Sequence, residues 1–280
     1  MGAERALARA AEWALPRVPP AWQGPISEVV GTIAYLAAPR GRAAVRANLA
    51  MIAPERSLSA RRVFVNQVRQ YLEVFHIVRL DRARFDEIVR VEGWDHFLCA
   101  QRRGKGVIFG SAHFGPVALV GQIVITRGYT LTLPAEKTDS EFMHAVNRAR
   151  QAHGMVLIPI DSALGIHRVI RDGGVLGILA DRAVTGVGER VEFFGRPALL
   201  PSAAVVLSMR TGAPLLPCFA GRSDGHITAT FEPPLEIPST GDRAADVREG
   251  VQRFARVLER YVRNAPEQWT VFEDFWHGSR

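Results

Sequence analysis

His113 stands where the apolar run GVIFGSA (106–112) stops and a second apolar pattern, PVALVGQIVITRG, begins. An imidazole is the side chain best suited to take a proton from a hydroxyl near neutral pH. Gly115 and Pro116 follow closely. The glycine lets another group approach the backbone, and a helix beginning there favours negative charge developing beside it. Two carboxylates hold comparable positions: Glu136 after LTLPA and Asp181 after VLGILA, with Asp161 after MVLIPI a weaker fourth group. Sites in open α/β sheets form at the carboxyl ends of strands. A site is therefore expected where the titratable groups His113, Glu136 and Asp181 fall.

Other chemistries find little in the chain. No HExxH, no Cys/His ligand spacing and no phosphate-binding loop occurs, so no metal is expected. Gly186-Val187-Gly188 is a short loop and not a dinucleotide fingerprint. Ser111 and Ser202 lie outside any G-x-S-x-G, which argues against a serine acyl-enzyme. The two cysteines, Cys99 and Cys218, form no disulfide framework, and Cys218 lies in the apolar run APLLPCFA. A reduced, cytoplasmic setting fits them.

The elements that must position these groups alternate. From residue 88 the sequence reads strand (IVRVEG), helix (94–104), strand (GVIFGSA), helix (from Pro116), strand (YTLTLPA), helix capped by Ser140, strand (MVLIPI), helix (SALGIHRVIRDGG) and strand (VLGILAD). A turn between VEFFG and LLP, a helix over SAAVVLSMRTG, a hairpin from PLLPCFAGR to ITATFEP and a helix over 243–264 complete it. This is an α/β pattern: one mostly parallel central sheet flanked by helices, with right-handed crossovers. The preceding part reads as helical, over 3–15, 26–38, 42–52 and 57–80, with PRVPPAWQGP as a break. We divide the chain into a helical N-terminal extension, 1–87, and an α/β core, 88–280.

The formal charge is +7, and nearly all of the excess is arginine, since lysine occurs only at Lys105 and Lys137. Such a surface suits anionic partners: lipid headgroups, the phosphates of CoA, or an acidic carrier protein. No aromatic-basic interleaving or reader motif supports nucleic acid. No secretory leader is visible, and ISEVVGTIAYLAA (26–38) falls short of the roughly 20 apolar residues of a membrane span. Trp13, Trp22 and Tyr35 beside Arg9, Arg17 and Arg40 fit either a peripheral membrane anchor or a helical cap docked on the core.

The stretch GVIFGSAHFGPVALVG, with LADRAVTGVGERVEFFGRPALLPSAAVVLSMRTGAPLLP, AVRANLAMIAPERS and PEQWTVFEDFW, resembles the bacterial lipid A biosynthesis acyltransferases. It is also similar to the mycobacterial mannoside acyltransferases of the same lysophospholipid acyltransferase superfamily. The likeness runs from about residue 26 to 276. It implies transfer of an acyl chain from acyl-CoA or acyl carrier protein to a hydroxyl or amine of a lipid, glycolipid or natural-product acceptor. No cofactor beyond that co-substrate is implied. His113 matches the base of the family's His-x4-acid motif, Asp181 a later acidic group, and Glu136 and Arg150 a Glu and an Arg between them. With these we place Arg182 as substrate-binding. The motif's own acid falls at Ala118, and Pro116-Val117 replaces the usual Asn-Trp. An alanine cannot orient an imidazole. Either Asp181 takes that role, or the chain is an altered or inactive acyl- or lipid-binding relative.

Overall fold

The computed structural model describes residues 2–77, 82–184, 186–223 and 225–276; the end of the expected fourth helix, 78–80, and the last four residues lie outside these. Five helices precede the sheet: α1 (Gly2–Ala14), α2 (Pro20–Ala37), α3 (Pro39–Ile52), α4 (Ala60–Ile77) and α5 (Arg82–Ile88). The sequence places the break before α2 as far as residue 25, but the helix begins at Pro20 and keeps Pro25 inside it. Proline suits a first helical position because no intrahelical bond is lost there. Pro25 removes one donor from the second turn, and Ala21 and Trp22, around it, are exposed, so water can serve the freed carbonyl.

The alternation then follows as β1 (Val89–Glu92), α6 (Trp94–Gln101), β2 (Val107–Ser111), α7 (Val117–Thr126), β3 (Leu131–Ala135), α8 (Glu141–Ala152), β4 (Val156–Pro159), α9 (Ala163–Arg171) and β5 (Val175–Leu179). Ser140 caps α8, its hydroxyl accepting from the Met143 amide at 3.3 Å. The chain continues through β6 (Glu189–Phe193), β7 (Arg196–Leu200), α10 (Ala203–Thr211), β8 (Leu215–Ser223), β9 (His226–Phe231) and α11 (Arg243–Asn264). Seven strands form one sheet in the order β1-β9-β8-β2-β5-β3-β4, and β6-β7 is a separate hairpin. All neighbours in the large sheet run parallel except β8 and β9.

Strand periodicity divides the core. From β2, Ile108 joins Leu176, Leu215, Phe219 and the apolar side of α11 on one face of the sheet. Its neighbours Val107 and Phe109 join Phe97, Leu119, Ile123 and Leu216 on the other. With both faces covered, β2 is buried throughout, as parallel strands require. The end of β2 is therefore held rigidly where His113 leaves it.

Candidate active site

The register of β2 against β5 builds the site. Ser111 lies opposite Leu179, and the Ala180 amide continues the ladder to the Ser111 carbonyl at 2.8 Å. The residues two beyond each strand end are therefore neighbours. Asp181 Oδ1 lies 2.9 Å from His113 Nδ1, and the main-chain N–H of His113 donates to Asp181 Oδ2 at 2.9 Å.

Asp181 is fully buried, while the His113 side chain keeps 29% of its surface. Burial alone would raise the aspartate's pKa. The His113 charge, its ring and backbone hydrogen bonds and the Trp269 indole outweigh this, and the group lies below its ordinary value. A carboxylate can only accept, so in the neutral ring Nδ1 of His113 carries the hydrogen and Nε2 the lone pair. That is the tautomer of a general base whose orientation is set from behind.

The segment after α11 locks this turn from the other side. Trp269 Nε1 donates to Asp181 Oδ2 at 2.9 Å. The His113 carbonyl accepts from the Thr270 amide at 2.7 Å and from the Thr270 hydroxyl at 3.1 Å. The Gly115 amide donates to the Gln268 carbonyl at 2.9 Å. Gly115 has φ +51°, and a Cβ there would meet the Ala220 carbonyl oxygen at 2.1 Å. The close approach anticipated at this glycine is thus made by β8.

Arg182, next to Asp181, turns to Glu273 of the same C-terminal segment, in a two-point bond of 2.9 and 3.1 Å. Its pKa is raised by that bond first, and by the charges of Glu136 and Asp181 as well. Asp181 and Arg182 therefore do not form a local pair; each finds a partner elsewhere. Arg150, in the last turn of α8, has its pKa lowered by burial, opposed by Tyr71. It bonds the side chain of Asn147 at 3.3 Å and has no ion pair among the described residues. Tyr71 of α4 is pushed up by burial and held back by the charges of Arg150 and Arg182. Glu136 is exposed beyond β3. Arg182 is the common member: it feels the charges of Glu136 and Asp181, and it shares its influence on Tyr71 with Arg150. Asp161 is exposed beyond the edge strand β4, three places from β2 in the sheet.

Trp269, Thr270, Glu273 and Tyr71 went unrecognised in the sequence. One signal was present for the tryptophan: a buried indole N–H needs an acceptor. Ala118, the second residue of α7, packs among apolar side chains of two core clusters. Among the described residues, no group of three or more His, Cys, Asp or Glu side chains is arranged to hold a metal ion.

Comparisons with known proteins bear on the family. The family model described as bacterial lipid A biosynthesis acyltransferase matches residues 5–277. A phosphatidylinositol mannoside acyltransferase of Mycobacterium tuberculosis is 27% identical over 222 residues, covering 74% of this chain and 67% of the relative. The protein of that name from Mycolicibacterium smegmatis is 25% identical over 283 aligned positions, covering 96% and 90%. The chain is an acyltransferase and belongs to the bacterial lipid A biosynthesis acyltransferase family.

Proposed function

We propose that the chain moves an acyl group from a thioester, acyl-CoA or acyl carrier protein, to a hydroxyl of a lipid, glycolipid or natural-product acceptor. An amine is accommodated by the same chemistry. His113 Nε2 takes the acceptor proton as the oxygen attacks the thioester carbonyl. The tetrahedral intermediate collapses with loss of the C–S bond, and the thiol leaves with the proton from His113. Asp181 holds the imidazolium in place. No acyl-enzyme forms, and neither metal nor a further cofactor takes part. Arg150 and Arg182 bind anionic groups of the substrates, and Glu136 a polar group of the acceptor.

The observation that carries this reading is the 2.9 Å contact of His113 Nδ1 with Asp181. It supplies behind the imidazole the carboxylate that Ala118 cannot. The names of the mycobacterial relatives favour a sugar hydroxyl on a lipid as acceptor. A lipid acceptor places the protein at a membrane, and a thioester donor places it on the cytoplasmic side. No helix among the described residues is long and apolar enough to cross a bilayer. The fit is therefore peripheral, on an anionic inner face.

The test is incubation of the purified full chain with a panel of acyl thioesters and mannosylated, phosphorylated and neutral lipid acceptors. Mass spectrometry follows acylated product, and a thiol reagent follows the released carrier. The expected result is a product that depends on His113. Tight acyl-chain binding without any thiol release across the panel would overturn the reading in favour of a lipid-binding relative.

A further inference from the structure

The segment that locks the His113 turn has little regular structure of its own. Residues 270–276 form neither helix nor strand. Their main-chain groups have no ladder to join, and the buried ones must find partners elsewhere. Three of them meet one side chain. Asn48, near the end of α3, is 3% exposed. Its Nδ2 donates to the Glu273 carbonyl at 2.8 Å and to the Val271 carbonyl at 3.3 Å. The Phe275 amide donates to its Oδ1 at 3.0 Å. Groups at every second position thus close around a single side-chain amide. Asparagine supplies two donors and an acceptor in one short planar group, and leucine of similar size supplies none.

Two routes lead from these bonds to the site. Glu273, whose carbonyl Asn48 holds, reaches Arg182 with its carboxylate at 2.9 and 3.1 Å. Phe275, whose amide Asn48 holds, sets its ring against Trp269, with centres 4.9 Å apart and planes at 73°. Trp269 in turn donates to Asp181. A residue of the third helix therefore stands behind both Asp181 and its neighbour Arg182. The apolar contact between this helical layer and the segment is a separate matter. Phe272 packs on Phe64, beside the cluster of Val45 and Leu49. Packing of that kind is non-directional and holds the segment down. Hydrogen bonds are directional, and they fix the register in which the segment meets the site. Asn66 of α4 secures the segment's start, donating to the Glu267 carbonyl at 2.7 Å, and leaves 271–275 to Asn48.

We propose that Asn48 is a positioning residue for the acyl transfer. It sets the guanidinium of Arg182 through Glu273, and the carboxylate of Asp181 through Phe275 and Trp269. Its loss acts on both kinetic constants. The KM of the substrate whose anionic group Arg182 takes rises, because the guanidinium is no longer held. The kcat falls, because Asp181 loses the indole that fixes it. The kinetic side of this inference rests on the reaction proposed above, and the geometric side has a readout that needs no substrate.

The test uses the full chain and compares Asn48→Leu with Val45→Ala. Val45 is also buried on α3, and its truncation loosens the same layer without removing those hydrogen bonds. The first readout is hydrogen exchange of the Trp269 indole N–H by NMR, identified by the signal that Trp269→Phe removes. Exchange should be slow in the parent and in Val45→Ala, and faster by about tenfold or more in Asn48→Leu. In the transfer assay Asn48→Leu should raise KM and lower kcat, each by about three- to tenfold. Val45→Ala should leave both near the parent values, even where the two variants lose the same thermal midpoint. Glu273→Gln should raise KM, and adding it to Asn48→Leu should raise KM no further, because the two act on one guanidinium. Parental exchange or parental KM in a folded Asn48→Leu would overturn the proposal. So would the same changes in Val45→Ala, or KM factors that multiply in the double variant. Should Asn48→Leu fail to fold, Asn48→Ser, which has a single donor, carries the same expectations. A parent that transfers no acyl group while the exchange pattern holds would count against the proposed reaction and not against the positioning.

Discussion

The indole of Trp269 and the main chain of His113 converge on one oxygen of Asp181, each at 2.9 Å, leaving the other oxygen to the imidazole. Phenylalanine at 269 would keep the aromatic packing and remove only that N–H. A hydrogen bond to a charged group contributes about 1.5–3 kcal/mol. Trp269→Phe should therefore lower kcat about tenfold with little change in donor KM. It should also shift the acidic limb of the pH–rate profile upward, because Asp181 loses a donor that holds its pKa down. An unmoved profile with a smaller active fraction would reduce Trp269 to packing.

His113→Ala should lower kcat by on the order of 10²–10⁴. Its side chain is partly exposed and lies outside the main clusters, so the thermal transition should change little. Near-normal turnover from such a folded variant would remove His113 from the mechanism.

Asp181→Asn and Ala118→Glu separate two accounts of the missing motif acid. With the contact at Nδ1 already made by Asp181, Asp181→Asn should cost nearly as much as losing His113, because the pair acts as a unit. Ala118→Glu should give no gain in rate and should destabilise, since it pushes a carboxylate among apolar neighbours. A tenfold faster Ala118→Glu enzyme beside a nearly normal Asp181→Asn would invert the assignment.

His153, at the end of α8, has its imidazole pulled down to about 4 by burial. Its Nε2 is buried without a hydrogen-bond partner. The unfolded chain binds this proton from about pH 6.5 downward, so between those values the unfolded state holds more protons. Stability from the neutral ring is then complete above about pH 6.5 and lost as pH falls toward 4. Asp181 acts in the same direction but below the ordinary carboxylate range, outside this window. The urea midpoint should drop from pH 7 to pH 5, and His153→Gln should flatten that slope. An identical drop in the variant would assign it elsewhere.

The strand–helix alternation after residue 88 was legible because buried parallel strands are short apolar runs and their helices carry turn signals at both ends. The helical N-terminus was legible too, but not the start of α2: proline density reads as a break, and tertiary packing on α4 overrides it. His113, Glu136 and Asp181 stood out as strand-end groups. Their spatial relation did not, since it depends on β2 and β5 being adjacent, 68 residues apart at the site. The C-terminal lock was hidden for the same reason. Trp269 meets Asp181 across 88 positions, and Glu273 meets Arg182 across 91. Nothing local in PEQWTVFEDFW announces a partner.

The order of synthesis gives the C-terminal segment a further meaning. Every strand of the sheet is made by residue 231, whereas the residues that bond the His113 turn and Asp181 from behind begin at Gln268. Translation runs at about 5–20 residues per second. A ribosome-bound chain therefore has several seconds in which its sheet has emerged and its base is not yet clamped. The contact between His113 and Asp181 belongs to the sheet, whereas the bonds that hold it from the other side wait for Trp269 and Thr270.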